Sequence, residues 1–261
     1  MTARSFLALA AFAVSPAIAQ LAAPNAAGVA AGHLHLVVKD MEVQKKFWTM
    51  MGGTPVQNGP LALIQFPGVY VMLRQGTPTG GTVGSVVNHF GFYVKDMKAS
   101  LAKWKAEGVK VEQANNPQQA FVTGPDDLRI EIYEDTAITT PIKMHHIHLN
   151  GAATPEMQAW YVKTFGAVAG KRGTFDTATV PGAEIAFNKA DGALAPTKGR
   201  SLDHIGFDVK NIDEFSKRLE RQGLKFDAAI RAVQNTKTRV AFLTDPWGTY
   251  IEVTENLGPS N

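Results

Sequence analysis

The chain has 261 residues, 45% of them hydrophobic and 19% charged, with 24 glycines and a formal net charge of +3. This is an ordinary globular composition, long enough for one large domain or two small ones. The charge is small and no Lys/Arg cluster builds a phosphate-tracking face, which excludes a nucleic-acid partner. The lack of cysteine removes thiol nucleophiles and thiolate metal sites.

The N-terminus is distinct from the rest. Arg4 precedes the apolar run Phe6–Val14, and Ala17-Ile-Ala19 follows just before Gln20. A positive start, a short apolar core and an A-x-A end predict a secretory signal peptide over residues 1–19, cleaved after Ala19. The run is well short of the ~20 residues that span a bilayer, and Pro16 interrupts it, so a membrane anchor is disfavoured. A periplasmic or secreted location with no membrane association after cleavage is expected. A chain of this size holds its core there without disulfides. Residues 20–32 have no apolar periodicity and are read as a flexible lead-in.

Four segments then begin alike: His33-Leu-His-Leu-Val-Val, His89-Phe-Gly-Phe-Tyr-Val, His146-Ile-His-Leu-Asn and His204-Ile-Gly-Phe-Asp-Val. Each alternates apolar residues as a half-buried strand does. Helical runs follow near 43–51, 101–108, 157–166 and 215–223, with a glycine at the end of each, where a left-handed cap is needed. Trp48, Trp104, Trp160, Phe165 and Phe215 stand at helix spacing and are expected in the core. Short β-prone stretches separated by turns complete each unit as β-α-β-β-β. In those turns Asp126 and Asp127 serve geometry, and Trp247 is expected to pack against the sheet. About 50 residues are too few to bury a sheet face alone, so the units must pair.

Units one and three open His-x-His; units two and four open His-x-Gly. From His33 to His146 is 113 positions and from His89 to His204 is 115. The chain therefore reads as a duplicated block, residues 33–136 (modules 1 and 2) and residues 144–257 (modules 3 and 4). In the even units a last strand carries Glu131 or Glu252, 121 positions apart. A lone histidine opening a strand is more often a hydrogen-bonded structural residue. Four at equivalent places, two matched with a glutamate at repeat-consistent spacing, point instead to a metal framework.

The strand-opening histidines, Trp160-Tyr-Val-Lys-Thr-Phe-Gly166 and Thr244-Asp-Pro-Trp-Gly-Thr-Tyr-Ile-Glu252-Val together resemble the vicinal oxygen chelate superfamily of glyoxalase I, fosfomycin and bleomycin resistance proteins and extradiol dioxygenases. The resemblance covers nearly all of the mature chain. It implies an α+β fold of four βαβββ modules, forming two paired-module half-barrels of curved mixed sheet. It implies first-strand ligands His33, His89, His146 and His204 and last-strand ligands Glu131 and Glu252. Pairing within blocks gives His33/His89/Glu131 and His146/His204/Glu252, the latter preferred; pairing across blocks exchanges the odd-unit histidines. Met72 and Ala186 occupy the carboxylate position of the odd units, so either pairing yields two histidines and one glutamate.

Glu184, two residues before Ala186 and on the same face, is a candidate general base or fourth ligand. His148, and likewise His35, shares a face with the ligand histidine before it and is a candidate proton-transfer group. His145 would replace His146 only through a register slip that turns it to the other face. Two imidazoles and one carboxylate leave positions open for substrate and suit Fe, Mn, Zn or Ni. The resemblance thus implies a divalent-metal enzyme acting on a small molecule chelated through neighbouring oxygens. The ligand count favours extradiol-type oxygenation, since glyoxalase I uses two carboxylates; export favours redox-neutral glyoxalase-like lyase or isomerase chemistry. A non-catalytic sequestration protein of the bleomycin-resistance type is the competing reading, and a structural remnant a third. Four units satisfy the pairing requirement in one chain, so a monomer or a homodimer fits.

Overall fold

The structure, a computed structural model, describes residues 21–259, so the expected signal peptide lies outside it. The first unit comprises β1 (Val29–Val38), α1 (Met41–Met51), β2 (Thr54–Asn58), β3 (Leu61–Phe66) and β4 (Val69–Gln75). The second comprises β5 (Val87–Val94), α2 (Met97–Ala106), β6 (Lys110–Gln113), β7 (Gln119–Gly124) and β8 (Leu128–Glu134). The third comprises β9 (Ile142–Gly151), α3 (Thr154–Phe165), β10 (Val168–Arg172), β11 (Phe175–Val180) and β12 (Ala183–Lys189). The fourth comprises β13 (Leu202–Val209), α4 (Ile212–Arg221), β14 (Arg231–Ala232), β15 (Arg239–Thr244) and β16 (Tyr250–Glu255). Every unit is the expected β-α-β-β-β.

The helix ends follow the sequence signals. Asp40 caps α1 by accepting hydrogen bonds from the Glu42 and Val43 amides, and Asn211 does the same for Asp213 and Glu214 on α4. Gly52 and Gly166 end α1 and α3 at φ of 115° and 63°, a region that strains any residue with a Cβ. The lead-in is shorter than expected and ordered at its end. β1 already begins at Val29, and the Asn25 side chain accepts from the Ala27 and Val29 amides while donating to the Phe165 and Gly166 carbonyls.

The strands form two eight-stranded mixed sheets, β14-β15-β16-β13-β1-β4-β3-β2 and β10-β11-β12-β9-β5-β8-β7-β6. Each joins two units through one antiparallel seam, β1 with β13 and β5 with β9. Unit one therefore pairs with unit four and unit two with unit three. The sequence blocks 33–136 and 144–257 are not the structural halves, because each sheet takes one unit from each block.

Alternation along β1 turns Leu34 and Leu36, both fully buried, to one face and His33 and His35 to the other. The apolar faces of both sheets and the helices share one core. Trp48 of α1 lies 5.9 Å from Phe66 in one sheet and 6.1 Å from Phe90 in the other. Phe165 of α3 stacks at 4.0 Å on Phe207 of β13. Trp104 and Phe215 are buried as expected, whereas Trp160 is only partly buried and meets Trp247 edge-on at the core margin. Among the described residues no helix is long and apolar enough to cross a membrane.

Candidate metal centres

Strand register builds the sites. Across β1, β13 and β16, His33 lies opposite Gly206 and Gly206 opposite Glu252. Across β9, β5 and β8, His146 lies opposite Gly91 and Gly91 opposite Glu131. Each outer pair is two strand spacings apart, roughly 10 Å between backbones. Their side chains meet because nothing projects from the glycine between them. A Cβ on Gly206 would sit 2.1 Å from the His33 ring, and one on Gly91 2.3 Å from the His146 ring. One step along each seam, His35 faces His204 and His89 faces His148.

In the first site, Glu252 Oε2 lies 2.9 Å from His33 Nε2 and 2.8 Å from His204 Nε2, with His35 Nδ1 at 4.0 Å. In the second, Glu131 Oε2 lies 3.1 Å from His89 Nε2 and 3.0 Å from His146 Nε2, and His148 Nδ1 lies 3.2 Å from His89 Nε2. One donor atom from each of the four residues in a site falls within 4.8 Å of the others. Bonds of about 2.1 Å at the tetrahedral angle set neighbouring donors roughly 3.4 Å apart, a few tenths of an ångström beyond the hydrogen-bonded separations of 2.8, 2.9 and 3.1 Å found here.

The protonation states suit a cation as well. Burial lowers the pKa of His33, and that of His35 well below the ordinary value; it lowers His146 to about 4 and His148 to about 3. Burial alone would raise both glutamates, but hydrogen bonds and charge from their histidines outweigh it and hold them well below the usual carboxylate range. His33, His35, His146 and His148 therefore offer neutral imidazole and the two glutamates ionised carboxylate; at His204 burial is outweighed by hydrogen bonds and charge from Asp203 and Glu252, which raise its pKa. His33 Nδ1, both ring nitrogens of His35 and His148 Nε2 are buried without a hydrogen-bond partner. Buried polar atoms left unpaired cost on the order of 1–3 kcal/mol each, which a bound ion or substrate would offset where it meets them. The residues present fit a divalent ion.

All six expected ligands are thus brought together, in a different grouping from the one preferred on sequence. The third ligand of the Glu252 site is His33, not His146, because β1 pairs with β13; His146 goes to Glu131 and His89. Glu184 stands outside both groups, its carboxylate accepting from Arg172 Nε at 2.8 Å. His145 does not replace His146; its ring stacks at 3.9 Å on Tyr93. His35 and His148 sit closer to the ligands than a supporting role required, each within its donor group. Gly91 and Gly206 were not singled out as site residues, although the His-x-Gly contrast with His-x-His was their signal.

A cavity of about 530 Å³ adjoins the first site, with His35, His204 and Glu252 in its lining. Phe242 and Tyr250 stack at 5.1 Å on one wall, each edge-on to His204 at 5.5 Å. Met72, Arg74, Lys198 and Arg231 contribute to the remaining lining.

Residues 143–253 match the sequence model of the Glyoxalase/Bleomycin resistance protein/Dioxygenase superfamily. The fold of the whole chain is similar to that of glyoxalase I from Zea mays at a TM-score of 0.69 and 16% identity, covering 87% of this chain and 92% of that one. A mutant form of the same maize enzyme gives 0.70 at 14% identity, over 88% and 94% of the two chains. A putative dioxygenase from Bacillus subtilis gives 0.64 at 12% identity, over 92% and 87%. No curated protein is significantly similar in sequence. Residues 143–253 thus resemble the Glyoxalase/Bleomycin resistance protein/Dioxygenase superfamily in sequence, and the chain as a whole has the fold seen in glyoxalase I from Zea mays.

Proposed function

We propose that this protein is a divalent-metal-dependent enzyme that binds a small substrate through two neighbouring oxygens, as a glyoxalase-like lyase or isomerase or an extradiol-type dioxygenase. One observation carries the reading: two buried His-His-Glu groups whose donor atoms converge at cation-ligand spacing. His33, His204 and Glu252 would hold one ion, and His89, His146 and Glu131 a second. An ion held there would act as a Lewis acid on a chelating oxygen. The chain's own contribution is to fix three donors on one side and leave the cavity side of the first site open to substrate. His35, with both ring nitrogens unpaired, lines the cavity beside His204 and Glu252, where it would be the nearest imidazole to exchange a proton with substrate. The stacked Phe242 and Tyr250 offer a flat wall for an unsaturated or aromatic substrate. We further propose that the enzyme is exported, a reading that rests on residues 1–19.

Catechol, which chelates through two neighbouring oxygens, tests the reading. It is expected to bind the Zn²⁺-loaded chain, to bind the metal-stripped chain at least tenfold more weakly, and to lose the difference in Glu252→Ala. Undiminished binding to the stripped chain would favour sequestration without metal.

A further inference from the structure

The two centres have the same residue types but not the same surroundings. Behind His204, the Asp203 carboxylate lies 2.6 Å from Nδ1. Asp203 is itself buried, and its other oxygen accepts from the Gly199 amide at 2.6 Å. At the matching place behind His89 stands Asn88, whose side-chain oxygen lies 2.9 Å from Nδ1. Both residues immediately precede their ligand histidine, so the repeat makes the comparison direct: same position, same ring nitrogen, one charge different.

The glutamates differ in the same sense. In the second centre Gln119 donates to Glu131 Oε1, the oxygen turned away from the histidines. Strand register places Phe121 opposite Glu131 and Phe242 opposite Glu252, so the counterpart of Gln119 is Val240, which has no side-chain donor. The Gln119 amide competes for the second carboxylate oxygen in one centre; among the described residues no side chain in the place of Gln119 does so in the other.

We propose that the two centres form a graded pair, in which the His33/His204/Glu252 centre takes a divalent cation first and more tightly because Asp203 positions His204. The inference rests on the metal reading above. A carboxylate on Nδ1 holds the proton there, leaves the Nε2 lone pair aimed at the ion, and makes that nitrogen a stronger donor; an amide oxygen does this without the charge. Arg74 lies 3.9 Å from Asp203 and opposes the effect, but its side chain is 56% exposed and solvent screens it, whereas the Asp203–His204 contact is buried. Asp203 is thus a positioning residue that acts through His204.

The test is a Zn²⁺ titration of the metal-stripped full chain against a chromophoric chelator, with circular dichroism to confirm folding. Two steps separated by tenfold or more are expected, the tight one lost in Glu252→Ala and the weak one in Glu131→Ala. Asp203→Asn should weaken the tight step by ten- to a hundredfold, and Asn88→Asp should strengthen the weak step; the second variant reads the effect even if the first destabilises the fold. Two equal steps, a tight step lost with Glu131→Ala, or affinities unmoved by Asp203→Asn and Asn88→Asp would overturn the ranking while leaving the metal reading intact. Zn²⁺ bound at neither centre would overturn both.

Discussion

Between His33 and Glu252 stands Gly206, and any Cβ there would collide with the buried His33 ring. Gly91 stands in the same relation to His146. Gly206→Ala is therefore expected to turn His33 away from Glu252, to weaken Zn²⁺ binding at the first centre by at least about tenfold and to cost roughly 1–3 kcal/mol of stability through overpacking, with the second centre unaffected. Chelator competition and urea unfolding on the one variant measure both, and unchanged Zn²⁺ affinity at the first centre would refute the packing account. The six clustered histidines and glutamates were legible in the sequence because repeat position marks them. Their companions were less so. Arg172, which takes the Glu184 carboxylate, comes from a different strand of the unit, and nothing in local spacing announces that contact.

Within β13, Asp208 shows what a strand position imposes on a side chain. It accepts from the Thr254 hydroxyl at 2.9 Å and the Leu257 amide at 3.2 Å, but burial dominates and raises its pKa to about 6. A folded-state pKa above the unfolded value means that the group's stabilising contribution is complete below about 3.9 and is lost as pH rises through about 6. Asp208→Asn should therefore gain roughly 1–3 kcal/mol on wild type between pH 4 and pH 7.5 in urea unfolding; a gain independent of pH would contradict the assignment. Helix boundaries, set by Asp40, Asn211 and the terminal glycines, were readable in advance because capping is local. The start of β1 was not. Val29–Gly32 carry no alternation, and they become strand because β13 lies beside them to take their hydrogen bonds.

The whole chain interleaves its repeats: unit one completes unit four and unit two completes unit three. Sequence alone could not choose this pairing, since within-block and cross-block arrangements use the same residue types. The cross-block seams put one ligand source from each half of the chain into every centre. Residues 21–139 or 140–259 expressed alone should accordingly bind Zn²⁺ far more weakly than the intact chain, and mixing the two should restore binding. A single half with native affinity would contradict the observed pairing.

The most direct test of the central claim is elemental analysis of the purified protein expressed with Fe, Mn, Zn and Ni all present. The account predicts two divalent ions per chain, with Glu131→Ala and Glu252→Ala each removing one and the double variant removing both. A folded wild-type chain that retains no ion and takes none up on later exposure to the same four metals would contradict it.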